Sequence, residues 1–444
     1  MFDRLIAGAT IVNADGELRA DVAVTGGRIA AILAPGEPAD ARTIVDATGR
    51  HLLPGLVDAH AHLREPGLTH KEDFDTGTRA AALGGVTTVL DMPTDVPWTA
   101  SAEQLAGKMR LAEGRLNVDV GFQAVLARDE GALDDLLALR PVSLELFTAD
   151  VPGPFLFESL DDVAERLKSL ARCTTLVGIS PGDQSILLGS AVRNRAGDIA
   201  AFLASRPPLA EAGGVARAML AAKEAGARIH VRQVNSALGL STWRRLRDMV
   251  DASIETTPQN LVFTADDYER FGANLKASPP LRSRNDVVAL RAALSEGLID
   301  IVATDHAPHS PAEKAAPYPT FADTPGGMPG LQTLLPVMLK LVEEKVITLP
   351  DLVRLCARNP AHRFGLGRSK GMIASGYDAD ILIVDRRRTH LITKAEQASK
   401  AAYTPFDGWR ISGELTDVFL RGERIVSDGA LVAPARGRVL TREM

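Results

Sequence analysis

The chain has 444 residues, which exceeds the usual size of one domain, so we expect one large domain with a smaller companion. Hydrophobic residues make up 45% of the sequence and charged residues 24%, as in an ordinary soluble globular protein, and a net charge of -6 excludes a basic surface for nucleic acid. The sequence has no apolar run long enough for a membrane span, no signal-peptide pattern and no CxxC partner for Cys173 or Cys356, which predicts a cytoplasmic protein without disulfides.

Short strands separated by turn residues are predicted at both ends of the chain. The first segments are LIAGATIVN, LRADVAVTG and RIAAIL, with turns at Asp15-Gly16 and Gly27. The same pattern returns after residue 371 in YDADILIVD and TDVFLRGERIVSDGALV. We therefore expect residues 1–52 and 371–444 to form one β domain.

Residues 53–370 alternate apolar strands with longer helical patterns, which is typical of a parallel sheet with crossover helices. The eight predicted strands are GLVDAHAH, VTTVLDMP, NVDVGFQAVL, PVSLELF, TTLVGIS, RIHVRQV, ASIETTP and DIVATDH. The predicted helices include KEDFDTGTRAAAL, LDDVAERLKSLA, PLAEAGGVARAMLAAKEAG and DVVALRAALSEG. Eight such units predict a closed (β/α)8 barrel.

In a barrel of this kind the chemistry lies at the carboxyl ends of the strands, so polar residues that end an apolar run are site candidates. Those residues are His60, His62, Asp91, Glu145, Ser180, Gln233, Asn235, Thr257 and Asp305. A loop rich in proline and glycine, residues 310–330, follows the last strand and is expected to cover this end of the barrel.

Three of these candidates have the side chains of a metal site. His60 and His62 are two residues apart on one strand, so both imidazoles point to the same face. Asp305 ends the last strand, which neighbours the first strand in a closed barrel. Imidazole and carboxylate suit zinc or a similar divalent ion, whereas two histidines alone are equally typical of packing or hydrogen bonding.

Seven segments carry a resemblance to a known family. They are LLPGLVDAHAHLREPG, GGVTTVLDMP, IETTPQNLVFTADDY, KASPPLRS, IVATDHAPH, NPAHRFGL and KGMIASGYDADILIVD. In order and spacing these segments resemble the cyclic amidohydrolases, namely dihydroorotase, allantoinase and hydantoinase, and the first and fifth look most like dihydroorotases and allantoinases. The resemblance implies a (β/α)8 TIM barrel with a small β-sandwich built from both termini, hydrolysis of a cyclic amide or imide with one or two metal ions, and homodimers or homotetramers.

The sequence departs from the family's two-metal site at three positions. Glu145 stands where the family usually has a carboxylated lysine, and Ser180 and Gln233 stand where it has histidines. His230 is an odd number of residues from Gln233 and is expected to face away from the interior. The resemblance therefore implies one divalent ion, with zinc favoured, held by His60, His62 and Asp305. Glu145 is either a fourth ligand or an interior carboxylate paired with a cation.

The positions that bind substrate in the family are also mixed. Arg64 resembles an arginine that holds a substrate carboxylate, the alternative being an ion pair with Glu65 or another acid, and His309 matches a second carboxylate contact. Thr94 and Ser278 replace asparagines of the family pattern. Gly327, in the loop TPGGMPG, lies where family members offer backbone groups to the substrate ring.

Two functions of different classes follow from these observations. The first is a metal-dependent hydrolase that opens a small anionic cyclic amide or imide, with Asp305 as the catalytic acid and base. The second is an inactive dihydroorotase-like pseudoenzyme that serves as a structural partner, for example of aspartate carbamoyltransferase. A different reaction on a related ring also remains open, because the fold does not determine the chemistry.

Overall fold

A computed structural model describes residues 1–129, 131, 133–170 and 173–443 of the chain. The first β strands are β1 Phe2–Asn13, β2 Gly16–Thr25, β3 Arg28–Leu33, β4 Ala41–Asp46, β5 His51–Pro54, β6 Leu56–Ala61, β7 Val86–Asp91, β8 Asp119–Phe122, β9 Ala124–Val125 and β10 Leu144–Phe147. The remaining strands are β11 Val177–Ser180, β12 Ile229–Val231, β13 Ala252–Thr256, β14 Ile301–Val302, β15 Ile381–Leu391, β16 Arg410–Leu420, β17 Glu423–Ser427, β18 Ala430–Leu431 and β19 Val439–Leu440.

Helices follow most of the barrel strands. The first are α1 Phe74–Leu83, α2 Ala102–Ala112, α3 Leu133–Ala138, α4 Leu160–Ser169, α5 Gln184–Arg193, α6 Ile199–Ser205 and α7 Pro208–Ala225. The others are α8 Ala237–Leu246, α9 Tyr268–Phe271, α10 Arg284–Ser295, α11 Pro311–Ala315, α12 Leu334–Glu343, α13 Leu349–Val353 and α14 Asn359–Arg363. Among the described residues, no helix combines the length and apolar character that crossing a membrane requires.

The predicted barrel strands all form. Strands β6, β7 and β8 pair in parallel, and β9 to β14 pair in parallel in chain order, with Gln123 alone separating β8 from β9. A parallel bridge between Ala61 and His306 closes the barrel. The buried Asp58 supports this closure, because it accepts hydrogen bonds from the backbone N–H and the hydroxyl of Thr304.

The predicted helices have sequence signals at their ends. Asp73 caps α1 by accepting from the N–H of Thr76, and α7 ends at Gly226, whose φ of 64° is left-handed and suits glycine. Ser283 and Asp286 form a reciprocal capping box on α10. The predicted helix from 160 ends at residue 169 as α4, and its last predicted residue, Ala171, lies outside the described residues.

The two ends of the chain share one sheet of nine strands. Its order is β18-β17-β16-β15-β5-β1-β2-β3, with β4 paired to β1, so strands from residues 2–54 meet strands from residues 381–431. The last strand, β19, instead pairs in parallel with β8 of the barrel, and Met444 lies outside the described residues. The joint between barrel and sheet holds Lys370, which is buried and contacts Asp119 and Asp380 at 2.7 and 2.6 Å.

Candidate metal centre

His60, His62 and Asp305 converge at the carboxyl end of the barrel, as the sequence predicts. The Nε2 atom of His60 is 3.4 Å from Oδ1 of Asp305, and Nε2 of His62 is 3.3 Å from the same oxygen. Two ligand atoms that each lie about 2.0–2.1 Å from one tetrahedral ion are separated by about 3.3–3.4 Å. The two measured separations match this value, and all three ligand atoms lie within 4.8 Å of one another.

The other ring nitrogens of both histidines are held by neighbouring side chains. Nδ1 of His60 is 2.5 Å from Oε1 of Glu255, and Nδ1 of His62 is 2.9 Å from the hydroxyl oxygen of Thr94. Although burial favours its protonated form, Arg232 and His60 hold the pKa of Glu255 well below its usual value. Glu255 is therefore an ionised acceptor for the Nδ1–H of His60, and Nε2, which faces Asp305, is the nitrogen that a metal would use.

The loop that carries Thr94 is anchored by a buried lysine. Nζ of Lys108 lies 2.7 Å from Asp91 and 2.5 Å from Asp95, and it also donates to the carbonyl oxygen of Met92. Asp91, a predicted strand-end candidate, accepts from the N–H of Leu63 through its other oxygen. Its role in the structure is thus to support the two loops beside the histidines.

Asp305 is oriented by Gln233. The Nε2–H of Gln233 donates to Oδ2 of Asp305, while Oδ1 faces the two histidines. Burial raises the pKa of Asp305 to about 6, against the opposing effect of the nearby His60. Both Gln233 and Asp305 have left-handed backbones, with φ of 48° and 49°. Because non-glycine residues rarely adopt this conformation, it is a constraint that the tertiary structure must impose.

Glu145 does not join the metal group. It is fully buried, and its two oxygens lie 2.7 and 3.1 Å from Nη2 and Nε of Arg232. The hydroxyl of Ser143 donates to the same carboxylate at 2.7 Å. The sequence left two alternatives for Glu145, a fourth metal ligand or an interior carboxylate paired with a cation. The structure shows the second.

Arg232 is the centre of a buried network that spans the barrel. Besides Glu145, its guanidinium donates to Oε2 of Glu255, the side-chain oxygen of Gln123 and the carbonyl oxygen of Ala59. The five N–H donors of an arginine are thereby all used. Its partners Glu145 on β10 and Glu255 on β13 belong to strands on opposite sides of the barrel, so the guanidinium lies across the interior.

The prediction that His230 faces away from the interior is wrong. Nε2 of His230 is 2.9 Å from Oε2 of Glu255, and Nδ1 is 2.8 Å from the hydroxyl of Ser253. Strict alternation does not extend to Gln233, because its left-handed backbone interrupts the extended strand. Burial lowers the pKa of His230 to about 4, so this imidazole is neutral at pH 7.

Comparison with known proteins agrees with this geometry. Residues 49–237 match the family model described as dihydro-orotase-like, and residues 207–425 match the amidohydrolase family. The dihydroorotase of Methanothermobacter thermautotrophicus is 34% identical over 100% of this chain and 98% of its own length. The chain belongs to the cyclic amidohydrolase family.

Other similar proteins of the cyclic amidohydrolase family are named as different enzymes, an allantoinase and a hydantoinase. The allantoinase of Deinococcus radiodurans is also 34% identical, over 99% of this chain and 98% of its own. The solved L-hydantoinase (dihydropyrimidinase) of Arthrobacter aurescens superposes with a TM-score of 0.96 at 30% identity, covering 100% of both chains. Equal identity to a dihydroorotase and an allantoinase means that overall similarity does not select a substrate.

Arg64 is a candidate substrate-binding residue whose guanidinium has open donors. The side chain of Arg64 has no hydrogen bond or ion pair to any residue in the described ranges, and its buried Nε atom has no partner there. The alternative pairing with Glu65 does not occur, because Glu65 binds Arg115 at 2.6 and 3.0 Å. Burial lowers the pKa of the Arg64 guanidinium from its usual value, and the charge of the nearby Asp305 opposes this shift.

His309 and Gly327 lie beside the site, but both contact other parts of the protein. Nε2 of His309 is 3.0 Å from the carbonyl oxygen of Gly326, and Nδ1 is 3.3 Å from Nζ of Lys71. Gly327 has a φ of 127°, and a Cβ there would lie 2.3 Å from the carbonyl oxygen of Ala307. These residues hold the glycine-rich loop against the last strand, and Gly327 is required for that close approach.

Ser278 and Thr94 replace the family's asparagines with different consequences. Ser278 lies against Gly326 and lines a cavity together with Ser180 and Gln233. The hydroxyl of Thr94 is committed to His62. The structure therefore places Thr94 behind a candidate metal ligand and Ser278 at the open side of the site.

Sequence analysis missed Arg232 and Glu255, although a signal was present. Both are charged residues within short apolar strands, in RIHVRQV and ASIETTP. A charge buried in such a strand requires a partner, so each one predicts an opposite charge in the barrel interior. The sequence pattern does not show which of these buried charged residues pair with each other.

Proposed function

We propose that the protein is a cyclic amidohydrolase that opens a ring amide or imide with one divalent ion, zinc being the best match. His60, His62 and Asp305 would hold this ion. The observation that supports a single ion is the Arg232 network. The carboxylate of Glu145, at the family's bridging-lysine position, is already neutralised by the guanidinium of Arg232 at 2.7 Å.

Electrostatics oppose a second ion at this position. A second cation would have to compete with the fixed charge of Arg232 for Glu145, in an interior where charges interact more strongly than in water. Ser180 and Gln233 replace the family's other ligands with a hydroxyl and an amide. Neither side chain is a preferred ligand for zinc.

The bound metal would supply Lewis acidity toward the ring carbonyl and increase the acidity of a water molecule. Asp305 would accept a proton from the attacking water as the carbon–oxygen bond forms. The ring carbon–nitrogen bond then breaks, and Asp305 returns the proton to the departing nitrogen. Gln233 fixes the orientation of the carboxylate through its hydrogen bond to Oδ2.

We further propose that the substrate carries an anionic group that binds Arg64. The guanidinium has no partner among the described residues, and a planar fork of donors suits a carboxylate. Burial lowers the pKa of His309 to about 3, and the charges of Arg64 and Lys71 act in the same direction, so both cations lie near this histidine. Because Lys71 already pairs with Glu313 at 3.0 Å, an anionic group is expected to bind Arg64 rather than Lys71.

Metal analysis of the purified protein is the test. One ion per chain is expected in the wild type after zinc or manganese supplementation, and none in His60→Ala. Absence of metal from the supplemented wild type would contradict the hydrolase and favour the pseudoenzyme. Two ions per chain would contradict the role of Arg232. Size-exclusion chromatography of the same sample tests the expected homodimer or homotetramer.

Ring-opening assays with dihydroorotate, allantoin and hydantoin would then test the reaction. In Arg64→Gln, KM for an anionic substrate should rise at least tenfold, whereas KM for hydantoin, which has no carboxylate, should change little. An unchanged KM for the anionic substrate would contradict the Arg64 assignment.

A further inference from the structure

A buried carboxylate that the proposed reaction does not use lies close to Asp305 in the fold. Oε2 of Glu72, just before α1, is 3.3 Å from Nε2 of His306, and both side chains are fully buried. Nδ1 of His306 accepts from the backbone N–H of Gly330 at 3.0 Å. The ring proton is therefore on Nε2, which faces Glu72. The imidazole thus joins the start of α1 to the end of the glycine-rich loop, residues 324–330.

The backbone of His306 is connected to two of the candidate metal ligands. Its carbonyl oxygen accepts from the N–H of His62 at 2.7 Å, and it follows Asp305 directly in the chain. Its N–H donates to the hydroxyl oxygen of Thr304 at 2.9 Å. Asp305 has a left-handed backbone with a φ of 49°, which neighbouring contacts must maintain. A fixed side chain at His306 therefore restricts the positions of Asp305 and His62.

Glu72 is held as an ionised acceptor. The hydroxyls of Thr76 and Ser399 donate to its carboxylate, and the N–H of Lys400 donates at 3.4 Å. Although burial favours its protonated form, His306 and the two hydroxyls lower the pKa of Glu72. Hydrogen bonds to an ionised acceptor are stronger than those between neutral groups. These donors therefore fix the carboxylate that faces His306.

Two of these donors come from the β domain. Ser399 and Lys400 lie in the connection between β15 and β16 of the nine-stranded sheet. The side chain of Gln332, just after the glycine-rich loop, is hydrogen-bonded to the backbone of the same connection at 2.8 and 2.9 Å. The β domain therefore contacts both of the segments that His306 joins.

We propose that Glu72 is a positioning residue of the candidate active site. Through His306 it holds Asp305 in the orientation that proton transfer requires, and through Ser399 it makes the β domain part of this arrangement. The inference rests on the proposed function, since that function assigns the proton transfer to Asp305.

Steady-state kinetics of ring opening by the zinc-loaded protein test this role. Glu72→Gln should lower kcat about tenfold, because a small displacement of a reacting group has a large effect on the rate. KM should change by less than about twofold, because Glu72 is hydrogen-bonded to no candidate substrate-binding residue in the described part of the chain. An unchanged kcat, or an effect on KM alone, would overturn the proposal.

Asp73 provides the matched control. It caps α1 through the N–H of Thr76 and pairs with Nζ of Lys400 at 2.5 Å, so it shares the helix and the β-domain connection with Glu72. Its contacts among the described residues do not include His306. Asp73→Asn should therefore leave kcat within about twofold of the wild type. Equal losses of kcat in Asp73→Asn and Glu72→Gln would show a purely structural role and refute the proposal.

A double variant tests whether Glu72 acts through His306. In His306→Asn the shorter side chain keeps an acceptor for the N–H of Gly330 but does not reach Glu72. This variant should lower kcat about as much as Glu72→Gln, and the double variant should be no slower than either single variant. Losses that multiply in the double variant would refute the route through His306.

Hydrogen–deuterium exchange of peptides that cover residues 324–334 provides a readout that needs no turnover. Exchange should be at least about fivefold faster in Glu72→Gln and His306→Asn than in the wild type and Asp73→Asn. Ser399→Ala removes one donor to Glu72 and should change kcat and exchange in the same direction, so it replaces Glu72→Gln if that variant does not fold.

The two readouts separate this proposal from the proposed function. Ring opening with unchanged kcat and exchange in these variants would refute the role of Glu72 but not the hydrolase. Faster exchange in a protein that opens none of the rings would contradict the proposed function and keep Glu72 as the residue that positions this part of the site.

Discussion

The charge network around the buried Arg232 can be tested through its effect on the free energy of unfolding. In Arg232→Met the guanidinium is lost while an apolar side chain fills part of its volume. Glu145 then loses both bonds to Arg232 and keeps only the hydroxyl of Ser143. Glu255 loses one bond but retains His60 and His230.

The expected magnitudes follow from these contacts. Removing one partner of a buried ion pair costs about 3–5 kcal/mol, because the remaining charge is left uncompensated. Glu145→Gln should cost less, about 1–3 kcal/mol, since Arg232 still has Glu255 and glutamine still offers an acceptor. The double variant Arg232→Met/Glu145→Gln should be more stable than Arg232→Met alone by at least about 1 kcal/mol, because no unpaired charge remains at residue 145.

Urea unfolding of the metal-free proteins, followed by circular dichroism, measures these differences. The metal-free form is required so that differences in metal affinity do not contribute to the free energy of unfolding. If Arg232→Met is within 1 kcal/mol of the wild type, or if the double variant is less stable than Arg232→Met, the charge network does not have the role described.

Three further predictions concern the metal ligands and pH. Glu145→Gln should retain one metal ion per chain by elemental analysis; loss of the metal would show that Glu145 is a ligand. Thr94→Val should weaken zinc binding about tenfold in a competition with a chelator, because His62 loses the hydroxyl that orients it, and an unchanged Kd would contradict that role. His230 has a folded pKa of about 4 and an unfolded pKa of about 6.5, so the unfolded state binds more protons between these values and stability should fall as the pH decreases through this range. His230→Gln should show a smaller loss of unfolding free energy between pH 7 and 5, and an equal loss would exclude this histidine as the cause.

The architecture was largely predictable from the sequence. The period of the apolar residues and the length of each segment distinguished strands from helices, and glycines and capping residues marked the helix ends. These signals are local, because they act within one turn or one strand. The structure differs at the C-terminus, where β19 pairs with β8 of the barrel. Such a pairing joins residues more than 300 positions apart, and no local pattern specifies it.

The candidate metal ligands were predictable for a related reason. His60 lies on β6 and His62 follows that strand directly, whereas Asp305 follows β14, which must neighbour β6 in a closed barrel, so the fold alone brings them together. The supporting residues were not predictable in this way. Thr94 was expected to contact substrate, yet the course of its loop brings its hydroxyl to His62.

The sequence by itself determined the family, the barrel and the three candidate ligands, because each depends on a local pattern or on the order of the strands. Only the tertiary structure decided the partners of the buried charges. Glu145 lies on β10, Glu255 lies on β13 and Arg232 follows β12, so their pairing depends on which side chains meet across the barrel interior. The left-handed backbone of Gln233 likewise arises from its surroundings, and it allows both Gln233 and His230 to face the interior, which strict alternation does not predict.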